Sequence, residues 1–136
     1  MKNKFKILPH TADVRMLVFG DSFQELFFNA LLGMEKILGP IKTNEETDWR
    51  EFKVESLDTT ALLIDFLSEI LYLTETHKEI YNQLEITKLT ETSIEGRVKG
   101  IKIEGFSEDI KGVTYHEAYV QQKSDGKWEA LVIFDL

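Results

Sequence analysis

Cysteine is missing from the chain altogether, so a disulfide framework, a thiolate zinc site and a thiol nucleophile are excluded. Proline is scarce, with 2 residues in 136, and no internal repeat, low-complexity run or linker divides the sequence. Long apolar runs are lacking too: Met1 to Phe5 carries none, and no window approaches the roughly 18 apolar residues that a membrane span needs. The expectation is a soluble, cytoplasmic protein that enters no membrane. Positive charge is in deficit, 16 basic against 24 acidic residues for a formal net charge of −8. That balance argues against a free-standing nucleic-acid binder, whose phosphate contacts need positive patches, so direct nucleic-acid binding is not expected. It suits cation binding or docking onto a basic partner, and equally serves plain solubility. Neither a glycine-rich phosphate loop nor a Ser/His/Asp arrangement is present, and three scattered histidines do not make a transition-metal cluster.

What is present is enough for one real core. At 43% hydrophobic and 11% aromatic over 136 residues, a single domain spanning residues 1–136 is expected. The stretch from Asp58 to Thr76 repeats Leu62, Leu63, Phe66, Leu67, Ile70, Leu71 and Leu73 at the i, i+3, i+4 spacing of an amphipathic helix, with Asp58 placed to cap it and Asp65 and Ser68 roughly opposite the apolar stripe. A second helix follows Gly20-Asp21. Ser22 and Glu25 form a capping box, the stripe runs through Phe23, Leu26, Phe27, Ala30, Leu31, Met34, Ile37 and Leu38, and Gly39-Pro40 ends it.

The remaining segments read as strands. Phe5 to Leu8 alternates weakly, Val14 to Phe19 is apolar apart from Arg15, and Trp49 to Leu57 presents Phe52 and Val54 on one side. Leu84 to Ile86 and Ile94 to Val98 flank the turn-prone Thr90 to Ser93, and Val113 to Gln122 and Lys127 to Leu136 flank Lys123 to Gly126, whose Asp-Gly pair is a strong hairpin signal. Lys42 to Asp48 reads as a polar loop, as does Ser107 to Asp109, and Gly100 to Asp109 alternates too raggedly to assign. Two helices and six or seven strands, mostly in hairpins after residue 80, give an α+β class with a mixed, mostly antiparallel sheet and both amphipathic helices packed on one face.

Three stretches hold side chains of functional type. In Pro9-His10-Thr11-Ala12-Asp13, Asp13 at a strand start can ligate a hard cation and His10 can orient it, although the pair serves equally to close a turn. At the C-terminus, Asp135 lies on the Glu129, Leu131, Ile133 face of its strand, next to a terminal carboxylate; two negative groups so close favour a cation between them, or belong to an exposed, frayed end. In Ile110 to His116, Gly112 permits close backbone approach, while alternation puts Thr114 and His116 on one face and Lys111, Val113 and Tyr115 on the other, unless Gly112 marks a bulge. Asp65 faces either a site or water.

Taken in order, His10-Thr11-Ala12-Asp13, the Gly20 to Ala30 turn and helix, Leu62-Leu63-Ile64-Asp65-Phe66-Leu67-Ser68-Glu69-Ile70-Leu71-Tyr72, Lys111-Gly112-Val113-Thr114-Tyr115-His116 and the terminal Val132-Ile133-Phe134-Asp135-Leu136 resemble the motifs of the archease family over nearly the whole chain. The resemblance implies a protein cofactor, not itself a catalyst, that promotes guanylylation and multiple turnover of an RNA ligase of the tRNA-splicing type. A chaperone-like link to a tRNA methyltransferase is implied as well. The metal site implied is calcium, or another divalent cation, held by Asp13, Asp135 and a main-chain or terminal oxygen of Leu136. His10, Thr11, Asp65, Lys111, Thr114 and His116 are the residues expected around it. Two departures stand out: Gly112 replaces the usual alanine, at a cost in packing, and Phe66 replaces the usual tryptophan, keeping the packing and losing an indole donor. Two other functions stay open, a general chaperone or adaptor with a structural cation and a metal-dependent phosphoester hydrolase using the same carboxylates.

Overall fold

The computed structural model describes residues 4–8 and 12–136. In chain order these form β1 (Phe5–Ile7), β2 (Asp13–Gly20), α1 (Phe23–Leu38), β3 (Pro40–Glu46), β4 (Arg50–Glu55), α2 (Thr59–His77), β5 (Glu79–Leu89), β6 (Ser93–Phe106), β7 (Gly112–Gln122) and β8 (Trp128–Asp135). The helix ends follow from their caps. Ser22 accepts from the Glu25 N–H at 3.1 Å, Glu25 reaches back to the Asp21 N–H at 3.1 Å, and Gly39 closes α1 in the left-handed region at φ 57°, as glycine does without steric cost. Asp58 accepts from the Ala61 N–H at 2.8 Å to start α2.

The strands divide into two four-stranded antiparallel sheets. One runs β1-β2-β8-β7; in the other, β6 is central, with β5 along one edge and β4 and then β3 along the opposite edge. The α+β class and the antiparallel pairing are as the sequence implies, but each helix touches both sheets: α1 packs on β2 and β5, and α2 on β7 and β4. This explains why nine positions of α2, from Leu62 to Thr74, are buried. Phe66 links the layers, its ring meeting Phe27 of α1 and Phe52 of β4 edge-on at 5.3 Å each, so the phenylalanine does fill the helix position without a polar handle.

Two segments depart from expectation. The polar run after Pro40 is strand β3, mostly exposed; proline begins it, where no ladder N–H is required. Residues Gly100 to Phe106 continue β6, and the pairing on both flanks shifts register there, which blurs the two-residue alternation. Gly100 is required at that point, since a Cβ would lie 1.9 Å from the Ile80 carbonyl oxygen.

A polar cluster is enclosed where α1 meets β5. Glu79 is fully buried and accepts two hydrogen bonds from Arg50, at 3.0 and 2.8 Å, and one from the Tyr81 hydroxyl at 3.0 Å. Burial opposes ionisation of Glu79, but the bonds from Arg50 and Tyr81 outweigh it and hold its carboxyl below the ordinary range. Burial likewise pushes the Tyr81 hydroxyl up. Nearby, Glu35 accepts from the Tyr81 N–H at 2.6 Å and has no ion pair among the described residues, and burial raises its pKa to about 8.

Candidate functional site

Strand alternation sorts β2 and β8 into an inner and an outer row. Val14, Met16 and Val18 enter the core, as do Ala130, Val132 and Phe134, which leaves Asp13 and Arg15 on the outer face together with Ile133 and Asp135. The ladder pairs Asp13 directly with Asp135, and on the other side of β8 pairs Asp135 with Gly112. Side chains opposite one another in an antiparallel pair have Cβ atoms about 4.5–5.5 Å apart, and like charges there repel. Lys111 is tied to the same corner: its N–H donates to the Asp135 carbonyl at 2.8 Å and its ammonium to the Leu136 main-chain oxygen at 3.4 Å. A Cβ on Gly112 would meet nothing within 4 Å. The glycine therefore marks neither a close approach nor a bulge, and no packing is forgone by it.

Asp13, Asp135, Leu136 and Lys111 are thus neighbours; His10 and Thr11 lie outside the described residues. Among the described residues no group of three or more His, Cys, Asp or Glu side chains converges. The corner offers two carboxylates and a main-chain oxygen, a hard-oxygen set that fits calcium-like chemistry with water completing the shell. A cation between Asp13 and Asp135 would relieve the repulsion their register imposes.

The rest of the expected set lies farther along β7. Thr114 faces Ile133 and Tyr119 faces Leu131, so three extra residues bulge out of the strand after Thr114, not at Gly112. Glu117 within the bulge takes φ 60°, a left-handed conformation costly for a residue with a Cβ. The excursion brings its carboxylate to Arg15 at 2.5 Å, and Arg15 is the β2 partner of Ile133. The ion pair therefore spans Ile133, which is only 3% exposed although it sits on the outer face. The Arg15 hydrogen bond holds the Glu117 carboxyl below its ordinary range. His116 is exposed, with its Nε2 3.8 Å from Glu117, and its N–H donates to the Thr114 hydroxyl at 3.1 Å.

Asp65 does not join the paired aspartates, and it is half-buried at the surface beside β4. It accepts from the Ser56 hydroxyl at 2.6 Å and from the Tyr115 hydroxyl, and this last bond raises the Tyr115 pKa. α2 is thereby fastened to the bulge. Tyr115 falls within the candidate stretch Ile110 to His116 but was given no role, and Arg15, Glu117 and Ser56 were not candidates; the one signal was Arg15, a lone charge in an apolar strand.

A model of the archease protein family matches residues 5–136. The chain is 33% identical to the protein archease of Methanosarcina mazei, with 98% of this chain and 96% of that protein covered. With the archease of Thermococcus kodakarensis the identity is 29%, over 98% of this chain and 99% of the other. In fold it is similar to the solution structure of protein 1598 of Methanobacterium thermoautotrophicum, at TM-score 0.76 and 24% identity with 98% and 99% of the two chains covered. It is also similar to the crystal structure of an archease, described as a possible chaperone, from Thermotoga maritima, at TM-score 0.66 and 23% identity with 96% of each chain covered.

Proposed function

The chain belongs to the archease family, and on that premise we propose that it is an activating protein cofactor of an RNA ligase of the tRNA-splicing type. The observation that carries this reading is the register of Asp13 against Asp135, with Lys111 bound to Leu136 beside them. Two opposed carboxylates with no side-chain partner among the described residues form an acidic corner, suited to a divalent cation and to a basic RNA-handling cleft. When bound, the cation supplies positive charge at that corner. Asp13 and Asp135 hold it, Leu136 adds an oxygen and Lys111 fixes the strand end. In this reading the corner docks at the ligase active site and helps it place metal and guanosine nucleotide for guanylylation.

Single-turnover guanylylation of a cognate ligase, with and without this protein, tests the reading. Acceleration by wild type that Asp135→Ala loses supports it; an unchanged rate with folded wild-type protein refutes it. A second reading, a general chaperone or adaptor that also serves a tRNA methyltransferase, draws on the description of the Thermotoga maritima relative as a possible chaperone. It predicts that Asp135→Ala lowers thermal stability in calcium without a specific loss of activation. Turnover of a phosphoester by the protein alone, abolished by Asp13→Asn, would instead make it a hydrolase.

A further inference from the structure

β4 and β7 are the end strands of their two sheets, and α2 lies against both. The edge of β7 is blocked. Its bulge interrupts the strand after Thr114, and the Val120 N–H is taken by the Thr60 hydroxyl of α2 at 3.1 Å. Among the described residues the outer edge of β4 has no such cover. Because the Ser56 N–H donates to the Thr92 carbonyl at 2.9 Å, the alternation of an antiparallel ladder assigns the β6-directed bonds to Phe52 and Val54. The main-chain N–H and C=O of Glu51, Lys53 and Glu55 therefore point away from β6.

Beside that edge run three depressions of about 380, 420 and 490 Å³. The first and second share Lys53 and Glu69, and the second and third share Glu55 and Asp65, so they form one groove along β4 and α2 that reaches Thr87 of β5 and Glu95 and Gly96 of β6 at its first end. Its charge is lopsided. Glu51, Glu55 and Glu69 line it with no ion pair among the described residues, and Lys53 is the only lining cation. Its far end is apolar, where Leu57 is 95% and Tyr115 59% exposed. An unpaired strand edge templates another strand through its backbone groups.

We propose that this edge and groove bind an extended, basic segment of a partner protein as an added strand, about six residues long to match β4, with an apolar side chain seated against Leu57 and Tyr115. A second copy of this chain is disfavoured as occupant because each copy carries a net charge of −8. The surface is distinct from the aspartate corner and does not depend on the partner being a ligase.

The test uses the whole protein and a blocked six-residue peptide alternating lysine with valine, followed by amide exchange and NMR shifts. At a peptide concentration about ten times the measured Kd, exchange of the Lys53 and Glu55 amides should slow about tenfold, with shifts confined to β4 and the facing turn of α2. Lys53→Pro deletes one outward N–H and leaves the bonds to β6 in place, so it should abolish this protection. Replacing Glu55 and Glu69 together by Gln alters side chains only and should weaken binding about tenfold; it keeps the test valid should the proline variant misfold. Equal protection by a glutamate-valine peptide, shifts located elsewhere, or no protection at saturation would each overturn the proposal. Protection that grows with protein concentration alone would overturn it in favour of self-pairing.

Discussion

Glu79 opens β5 and Asp135 closes β8, and the chain treats the two carboxylates oppositely. Glu79 is enclosed, clamped by both arms of Arg50 and by Tyr81. Asp135 stands at a solvent-exposed corner, facing another aspartate across the ladder. A buried charge persists only when its hydrogen-bonding capacity is met, so the Glu79 cluster is complete and has nothing left to offer a ligand. The aspartate pair is the reverse: water keeps its cost low, and what it lacks inside the molecule an external cation or basic group can supply. Burial of charge goes with a completed set of partners here, and unanswered charge stays at the surface.

The comparison can be broken or sharpened in order of effect on stability. Glu35 should give the largest. Its carboxyl, raised by burial from 4.5 to about 8, keeps a proton in the folded state that the unfolded chain has released, so stability is full below pH 4.5 and falls as pH rises through 8. The full loss is roughly 5 kcal/mol. Urea unfolding from pH 5 to 9 should show that decline in wild type and its absence in Glu35→Gln, which keeps an acceptor for Tyr81. Next comes Arg50→Ala, which strands the Glu79 charge; about 3 kcal/mol is expected, the low end of the usual range because Arg50 is one-third exposed. Chemical denaturation measures it. Tyr81→Phe removes one buried hydrogen bond and should cost about 1–1.5 kcal/mol by the same measurement. Asp135→Ala should change stability by no more than about 0.5 kcal/mol without divalent cations, since it also removes a like-charge contact. In calcium the wild type should gain thermal stability and the variant should not.

Local signals in the sequence carried much of the fold. The Ser22 and Asp58 caps, the apolar stripes of both helices and the Asp125-Gly126 turn lie where residue chemistry puts them, with Lys127 donating to Asp125 at 2.9 Å. That Asp13 and Asp135 belong together was implied by the family resemblance; their direct opposition comes from the pairing of β2 with β8, which alternation within either strand does not show. What stayed hidden depended on contacts distant in sequence. β3 shows no apolar alternation because five of its seven residues are exposed, and the division into two sheets rests on helices buried on both sides. Glu35 lies within the apolar sector of α1, four residues after Leu31, and that position was the available sign of an enclosed acid. The excursion of β7 after Thr114 left no glycine or proline to announce it, and so Tyr115 and Glu117 were missed.

The tie between Lys123 and Lys127, whose N–H and C=O close the turn at 2.7 Å, has a consequence at the other end of the strand. β7 and β8 leave this turn in fixed register, and eight residues later β8 delivers Asp135 opposite Asp13. Since side chains alternate at every step, deleting a single turn residue and letting β8 slide by one would turn Asp135 to the inner face and bring Phe134 outward. The turn acts as a ruler: its length, set roughly 25 Å away, fixes which residue the acidic corner presents. Grafting or tagging at that turn is therefore a change to the corner itself, unless the register of β8 is preserved.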